Sequence, residues 1–226
     1  MDVRAALRDV AEIGPFFAVE RYPQGEQWRA FDTYLDDERH RRDRVAAARE
    51  LLAHRAGLAD GAIDERATAS IQHLGTVARI VSPVLAVSAA HGRAPRLTPQ
   101  NVRWRAIAGG PVEFAFTGDD DDVVDAVLNA IVVPLGDAFA RTWHLSPHIV
   151  GGNAASALAG AATMLGRARP QLAAEARRVV THLLDDPYLR GTGSWREDGT
   201  FRRNNCCLFY RIPGGGTCGD CVLTPR

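Results

Sequence analysis

Four cysteines are the residues best suited to chemistry in this chain, and all of them fall between positions 206 and 221. They read Cys206-Cys207, ten intervening residues, then Cys218-Gly219-Asp220-Cys221, a CC-x10-C-x2-C pattern. A thiolate is both a metal ligand and a redox group. The Cys-x2-Cys spacing lets one turn of chain aim two sulfurs at one centre. The vicinal pair is harder to place. Neighbours in an extended strand point to opposite faces, so a single small ion needs a bend there, whereas a two-iron cluster spreads its thiolate positions. Pro213-Gly214-Gly215-Gly216 supplies bare backbone whose N–H groups can approach cluster sulfurs, and such hydrogen bonds help set a cluster's potential. From spacing alone an iron–sulfur centre, a zinc site and disulfides all stay open. The first is favoured, because zinc commonly takes two simple Cys-x2-Cys pairs and a reducing compartment disfavours disulfides.

Arg202, Arg203 and Arg211 flank the cysteines. As a basic surface they would favour the reduced, more anionic form of a cluster and could hold a substrate or an electron donor; solvated arginines are the competing reading. Trp195, Phe201 and Phe209 are candidates for an aromatic surface beside the site, against ordinary core or turn packing. His91, His144 and His148 could assist proton uptake, although a structural role is the commoner one for each.

The elements that must position this site are those of an ordinary globular chain. Its 226 residues include 46% hydrophobic and 24% charged. Lys plus Arg equals Asp plus Glu at 27 each, which argues against a nucleic-acid partner. The N-terminus carries Asp2, Arg4, Arg8, Asp9 and Glu12 and so does not read as a signal peptide. The longest apolar stretches are broken by Arg79, Pro83, Asp125 and Asn129; no transmembrane segment and a cytoplasmic location are expected.

The pattern predicts an α+β fold: a mainly helical body over 1–200, one or two short antiparallel hairpins, and a cluster-binding segment over 201–226. Helical spacing runs from Asp36 to about Ala56, ended by Gly57. A second helix starts at Asp64, runs to about 90 as the central core helix, is kinked or split at Pro83 and stops at Gly92. Val102–Ile107 and Val112–Phe116 around Gly109-Gly110-Pro111 signal a hairpin. Asp119 to Asp122 read as the acidic start of a helix through Ile131; the ligand spacing of a calcium loop is missing. After Pro147 comes a helix of small residues, whose Gly151-Gly152 could cradle an anion or simply allow close packing. An amphipathic helix over 170–185 and a hairpin turning at Asp198-Gly199 complete the body.

CCLFYRIPGGGTCGDCVL resembles the C-terminal iron–sulfur motif of the FhuF-like ferric-siderophore reductase family, with the CC-x10-C-x2-C spacing matched in full. ARIVSPVLAVSA, AIAGGPVEFAF and GGNAASALAGAA resemble that family's body, so the likeness spans most of 65–226, and the first 35 residues add little to it. The resemblance implies a [2Fe–2S] cluster held by Cys206, Cys207, Cys218 and Cys221. It also implies one-electron reduction of a ferric siderophore, hydroxamate-type or related, fed by a low-potential electron donor. All-thiolate clusters of this kind lie near about −400 mV, which suits the task. One departure is visible: many relatives have Trp-Gly-Asn where this chain has Gly151-Gly152-Asn153. A colourless zinc-stapled binding module and an iron–sulfur sensor are the alternatives.

Overall fold

The computed structural model describes the chain except residues 22–24, 26, 108–109 and 225–226. Several of its helices begin where a side chain satisfies one of the first free backbone amides. Asp2 accepts from the Ala5 amide to start α1 (Val3–Ala11). After strands β1 (Glu20–Arg21) and β2 (Arg29–Ala30) and helix α2 (Phe31–Asp36), Asp37 caps α3 (Glu38–Ala56). Asp64 caps α4 (Glu65–His91), accepting from the Ala67 amide at 2.9 Å. A carboxylate in that position replaces one of the hydrogen bonds a helix start cannot make internally.

Helix α4 is the centre of the molecule, as its all-round apolar sequence requires. Ile80, Val81, Val84, Leu85 and Ala86 are all fully buried. Pro83 does not split it: the helix runs through to Gly92, which closes it in the left-handed conformation at φ 71°. Helix α6 (Pro147–Ala168) packs along α4. Its Ala154, Ala155, Ala157, Leu158 and Ala161 face inward, and such small side chains let two backbones approach closely. By length and composition α4 and α6 would each reach across a bilayer, as a buried core helix also can, and 72% and 67% of their apolar windows are buried inside the fold. Ala-rich sequence keeps the mean hydropathy high despite the interruptions.

Around this pair lie β3 (Ala94–Pro95), β4 (Val102–Arg105), β5 (Glu113–Phe116), β6 (Asp121–Asp122), α5 (Val133–Trp143) and α7 (Ala173–Leu183). A four-stranded sheet has the order β1-β5-β4-β2. The expected hairpin is its antiparallel β4–β5 core, with Trp104 opposite Phe114. Of its anticipated turn, Gly109 lies outside the described residues. Trp104 is fully buried and donates from Nε1 to Ala30 O at 3.1 Å. The first 35 residues therefore supply sheet strands and core.

One expected element is different. Asp121–Asp122 pair with Ala94–Pro95 as strand β6, and the next helix begins only at a π turn, Leu128–Val132, leading into α5. The acidic run found cations instead of a helix dipole: Asp119 pairs with Arg4 and Arg21, and Asp121 with Arg93 and the N-terminal amine. Each partly exposed pair is worth only about 0–1 kcal/mol, similar to the dipole term, and it is these pairs together with the β3–β6 pairing that hold the run. The architecture is α+β, mainly helical, and ends in a small hairpin, β7 (Gly193–Trp195) with β8 (Phe201–Arg203), that leads directly into the cysteines.

Candidate metal centre

The cysteine segment is held from two sides. On one, β8 pairs with β7, and the Arg203 amide donates to Asp220 O at 3.2 Å, which ties the strand to the Cys-x2-Cys turn. On the other, Ile212 packs with Ala53, Ile63 and Ala67 at the junction of α3 and α4. The bend that the vicinal pair needs is made just after it. Leu208 adopts the left-handed conformation at φ 67°, and a 3-10 turn, Phe209–Arg211, follows. A non-glycine residue in that region carries strain held by its surroundings, and Leu208 is packed against both apolar clusters.

Cys207 and Cys221 are buried, while Cys206 and Cys218 are half-buried. The sulfurs of Cys207 and Cys218 are 3.5 Å apart. Two thiolates on one tetrahedral metal, with bonds of about 2.3 Å, would sit about 3.8 Å apart, so this pair is already spaced as ligands of one metal atom. Among the described residues no three Cys, His, Asp or Glu side chains converge as holders of a single ion. The proton shared with Cys218 pulls Cys207 down to about 6, helped by the Phe209 amide and the charge of Arg203 and opposed by burial. Cys218 is raised in return by its hydrogen bond to Cys207. Cys207 is thereby poised as a thiolate, the form a metal takes.

Backbone amides also point at sulfur, but not those of the glycine run. Leu208 N–H donates to Cys206 Sγ and Leu223 N–H to Cys221 Sγ, each at 3.3 Å. The glycines serve the turn. Gly214 and Gly216 have φ of 74° and 70°, and a Cβ on Gly215 would lie 3.0 Å from Ile212 O and 3.2 Å from the Phe209 ring.

The expected basic surface is divided. Arg202 and Trp195 line one open cleft of about 920 Å³, with Ser194, Arg196, Asn204 and Val222. Trp195 stacks edge-on with buried Phe201 at 5.4 Å and lies under the Arg177 guanidinium. Arg202 donates to Val222 O and Thr224 O, strapping the chain end to β8. Arg211 stands elsewhere, paired with Asp64 at 3.1 Å. Arg203 departs most from the reading as a surface residue: it touches the cleft but is 0% exposed. It is buried because β8 alternates, placing Phe201 and Arg203 inward. His91, His144 and His148 are exposed at helix ends, and no hydrogen bond joins them to a cysteine.

Sequence reasoning missed the group that receives Arg203. Its Nη2 donates to Asn153 Oδ1 and Asn205 Oδ1, both at 2.9 Å. Asn153 in turn donates to Ser70 O and Ser70 Oγ and meets His73 Nδ1 at 3.5 Å. Ser70 and His73 are one helical turn apart on α4, and both are fully buried. Two polar residues three apart in an otherwise apolar helix were the available signal. Gly151-Gly152 lie within α6 and not at its start, so they form no anion cradle. A Cβ on Gly152 would lie 2.1 Å from Asn205 Oδ1, and one on Gly151 2.9 Å from Tyr188 O. The first glycine leaves no room for the tryptophan of relatives; the second makes room for Asn205.

Do these residues suit a cluster? Four cysteines, a preset sulfur pair, amides aimed at sulfur and a buried cation with unpartnered Nε and Nη1 are the complement of an anionic thiolate centre. Residues 203–223 match the model of a known family, described as the FhuF 2Fe-2S C-terminal domain. The cysteine segment is a FhuF-type iron–sulfur domain. A search of curated proteins gave no match. The FhuF-type domain names the cofactor as a [2Fe–2S] cluster, which removes the zinc and disulfide readings.

The buried histidine beneath the FhuF-type domain gives a stability prediction. Burial, then the charge of Arg203, holds His73 down at about 3, against about 6.5 in an unfolded chain. Below the unfolded value the unfolded state binds the extra proton, so stability falls as pH falls. Urea titrations of the cluster-free protein from about pH 6 to about pH 4 are expected to lose about 1.4 kcal/mol per pH unit relative to His73→Gln. Parallel pH profiles would show that His73 takes up its proton in the folded state.

Proposed function

We propose that this protein is a cytosolic one-electron reductase of ferric siderophores, hydroxamate-type complexes foremost. The observation that carries the reading is the cleft of Trp195, Arg196 and Arg202 opening beside a [2Fe–2S] segment. A siderophore grips Fe³⁺ with hard oxygen donors, and Fe²⁺ far more weakly. One electron added to the iron therefore loosens the complex without breaking a bond in the chelator.

When bound, the cluster supplies single electrons. The chain's own residues do the rest. Arg196 and Arg202 offer guanidinium donors to the oxygen shell of the complex in a cleft that also holds Glu197 and Asp198, and the Trp195 face gives its organic frame an apolar contact. No acid or base is needed for the electron step. A low-potential donor must restore the electron.

The test is anaerobic. The loaded protein is reduced, freed of excess reductant, and mixed with a ferric hydroxamate and an Fe²⁺ trap. Reoxidation should match Fe²⁺ release one for one. Arg202→Glu should slow it, because a guanidinium donor is replaced by a carboxylate that repels the ligand oxygens of the complex. A reduced centre that persists against hydroxamate, catecholate and carboxylate complexes would make this a sensor instead.

A further inference from the structure

Arg203 is the one residue whose surroundings the polypeptide leaves incomplete. It is 0% exposed, and its Nε and Nη1 have no hydrogen-bond partner. Among the described residues no carboxylate pairs with it; its only side-chain partners are the neutral amides of Asn153 and Asn205. A buried unpaired charge is costly, and natural structures neutralise or pair it. The amides hold the guanidinium without quenching it. Its net charge stays available to whatever lies beside it: the Arg203 amide is tied to Asp220 in the Cys-x2-Cys turn, and Asn205, which holds the guanidinium, adjoins Cys206.

The clamp is itself built in. Asn153 is fixed from behind by Ser70 and His73 on α4. Asn205 occupies the space that any side chain on Gly152 would fill. Two core helices are thus spent on orienting one cation against a segment of four thiolates.

We propose that Arg203 is the buried counter-cation of the [2Fe–2S] cluster, a positioning residue that raises its potential and retains it in the protein. The electrostatic sense is simple. A four-thiolate centre is anionic and gains one more negative charge on reduction, so a fixed positive charge nearby favours the reduced form. Because the charge is fully buried, its effect resists screening more than that of half-buried Arg202 or exposed Arg196. The proposal rests on the cluster assignment and not on the substrate. Failure of siderophore turnover would leave it standing, and its own failure would leave the reductase reading standing.

The experiment is a spectroscopic redox titration of loaded wild type, Arg203→Met, Arg203→Lys, Asn153→Asp and Arg202→Met. Arg203→Met is expected to shift the reduction equilibrium at least about tenfold towards the oxidised form, about 59 mV for one electron. Asn153→Asp, which offers Arg203 a carboxylate, should shift it the same way with all cysteines and Arg203 intact. Arg203→Lys keeps the charge and should stay within about threefold of wild type. The shift of Arg203→Met should survive in about 1 M salt, where the Debye length is about 3 Å, whereas any shift of Arg202→Met should vanish. Unchanged potentials in Arg203→Met and Asn153→Asp overturn the proposal, as does an Arg203→Lys shift as large as that of Arg203→Met. If the Arg203 variants lose the cluster while their helices melt as in wild type, the counter-cation role is supported. Loss of the helices themselves overturns it in favour of a folding role.

Discussion

Each single Cys→Ser change at 206, 207, 218 and 221 is expected to remove most of the visible absorbance of the anaerobically purified protein, with Cys207→Ser and Cys218→Ser the most severe. Serine is nearly isosteric, so the fold should survive. The hydroxyl, however, is far harder to deprotonate than a thiol and is a harder ligand than iron–sulfur centres prefer. Cys207 and Cys218 matter most because their sulfurs are already 3.5 Å apart, preset as two ligands of one metal. Losing either leaves one metal atom short of a thiolate, and the nearest carboxylate, Asp220 beside Cys218, is a hard oxygen ligand that iron–sulfur centres do not favour. Absorbance spectra and iron and sulfide analysis of the four variants check this. Full retention in any one of them would remove that cysteine from the ligand set.

Stripping the cluster with a chelator under reducing conditions is expected to speed amide hydrogen exchange across residues 204–223 by at least about a hundredfold, with the amides of α4 and α6 unchanged. The segment has little else to hold it. Ile212 is its main apolar anchor, worth roughly 1.5–3 kcal/mol when buried, whereas Tyr210 and Leu223 are 48% and 53% exposed. The Arg211–Asp64 pair is partly exposed and worth about 0–1 kcal/mol. Removing four metal–sulfur bonds removes the larger share. The helical body has its own core of Ile80, Leu85, Phe139, Leu158 and Leu165 and needs no metal to stay closed. Exchange that is equal with and without the cluster would mean that protein contacts alone order the segment.

The ligands themselves were legible in the sequence because spacing is a one-dimensional property. Cys-x2-Cys forms one local turn whatever surrounds it, and the CC-x10-C-x2-C signature is read off directly. Helix ends followed the same logic. Asp64 and Gly92 bound α4 because capping depends on residues within one turn of each other. The β4–β5 hairpin and the β7–β8 hairpin are likewise short-range pairings.

What tertiary structure alone decided are the matters settled between distant residues. The acidic run at 119–122 became strand and ion pairs because Arg4, Arg21 and Arg93 reach it from elsewhere in the chain. The three arginines flanking the cysteines look equivalent in sequence, yet strand alternation sends Arg202 to the cleft and Arg203 into the core, while Arg211 is drawn off by Asp64. The amide clamp joins Asn153, Asn205, Ser70 and His73 across two helices and a strand. The spacing of Ser70 and His73 hints at a polar site on α4, but nothing in the sequence joins it to Asn153, Asn205 and Arg203. The clamp arises because a charge taken out of water must find its partners wherever the packing of α4 against α6 has placed them.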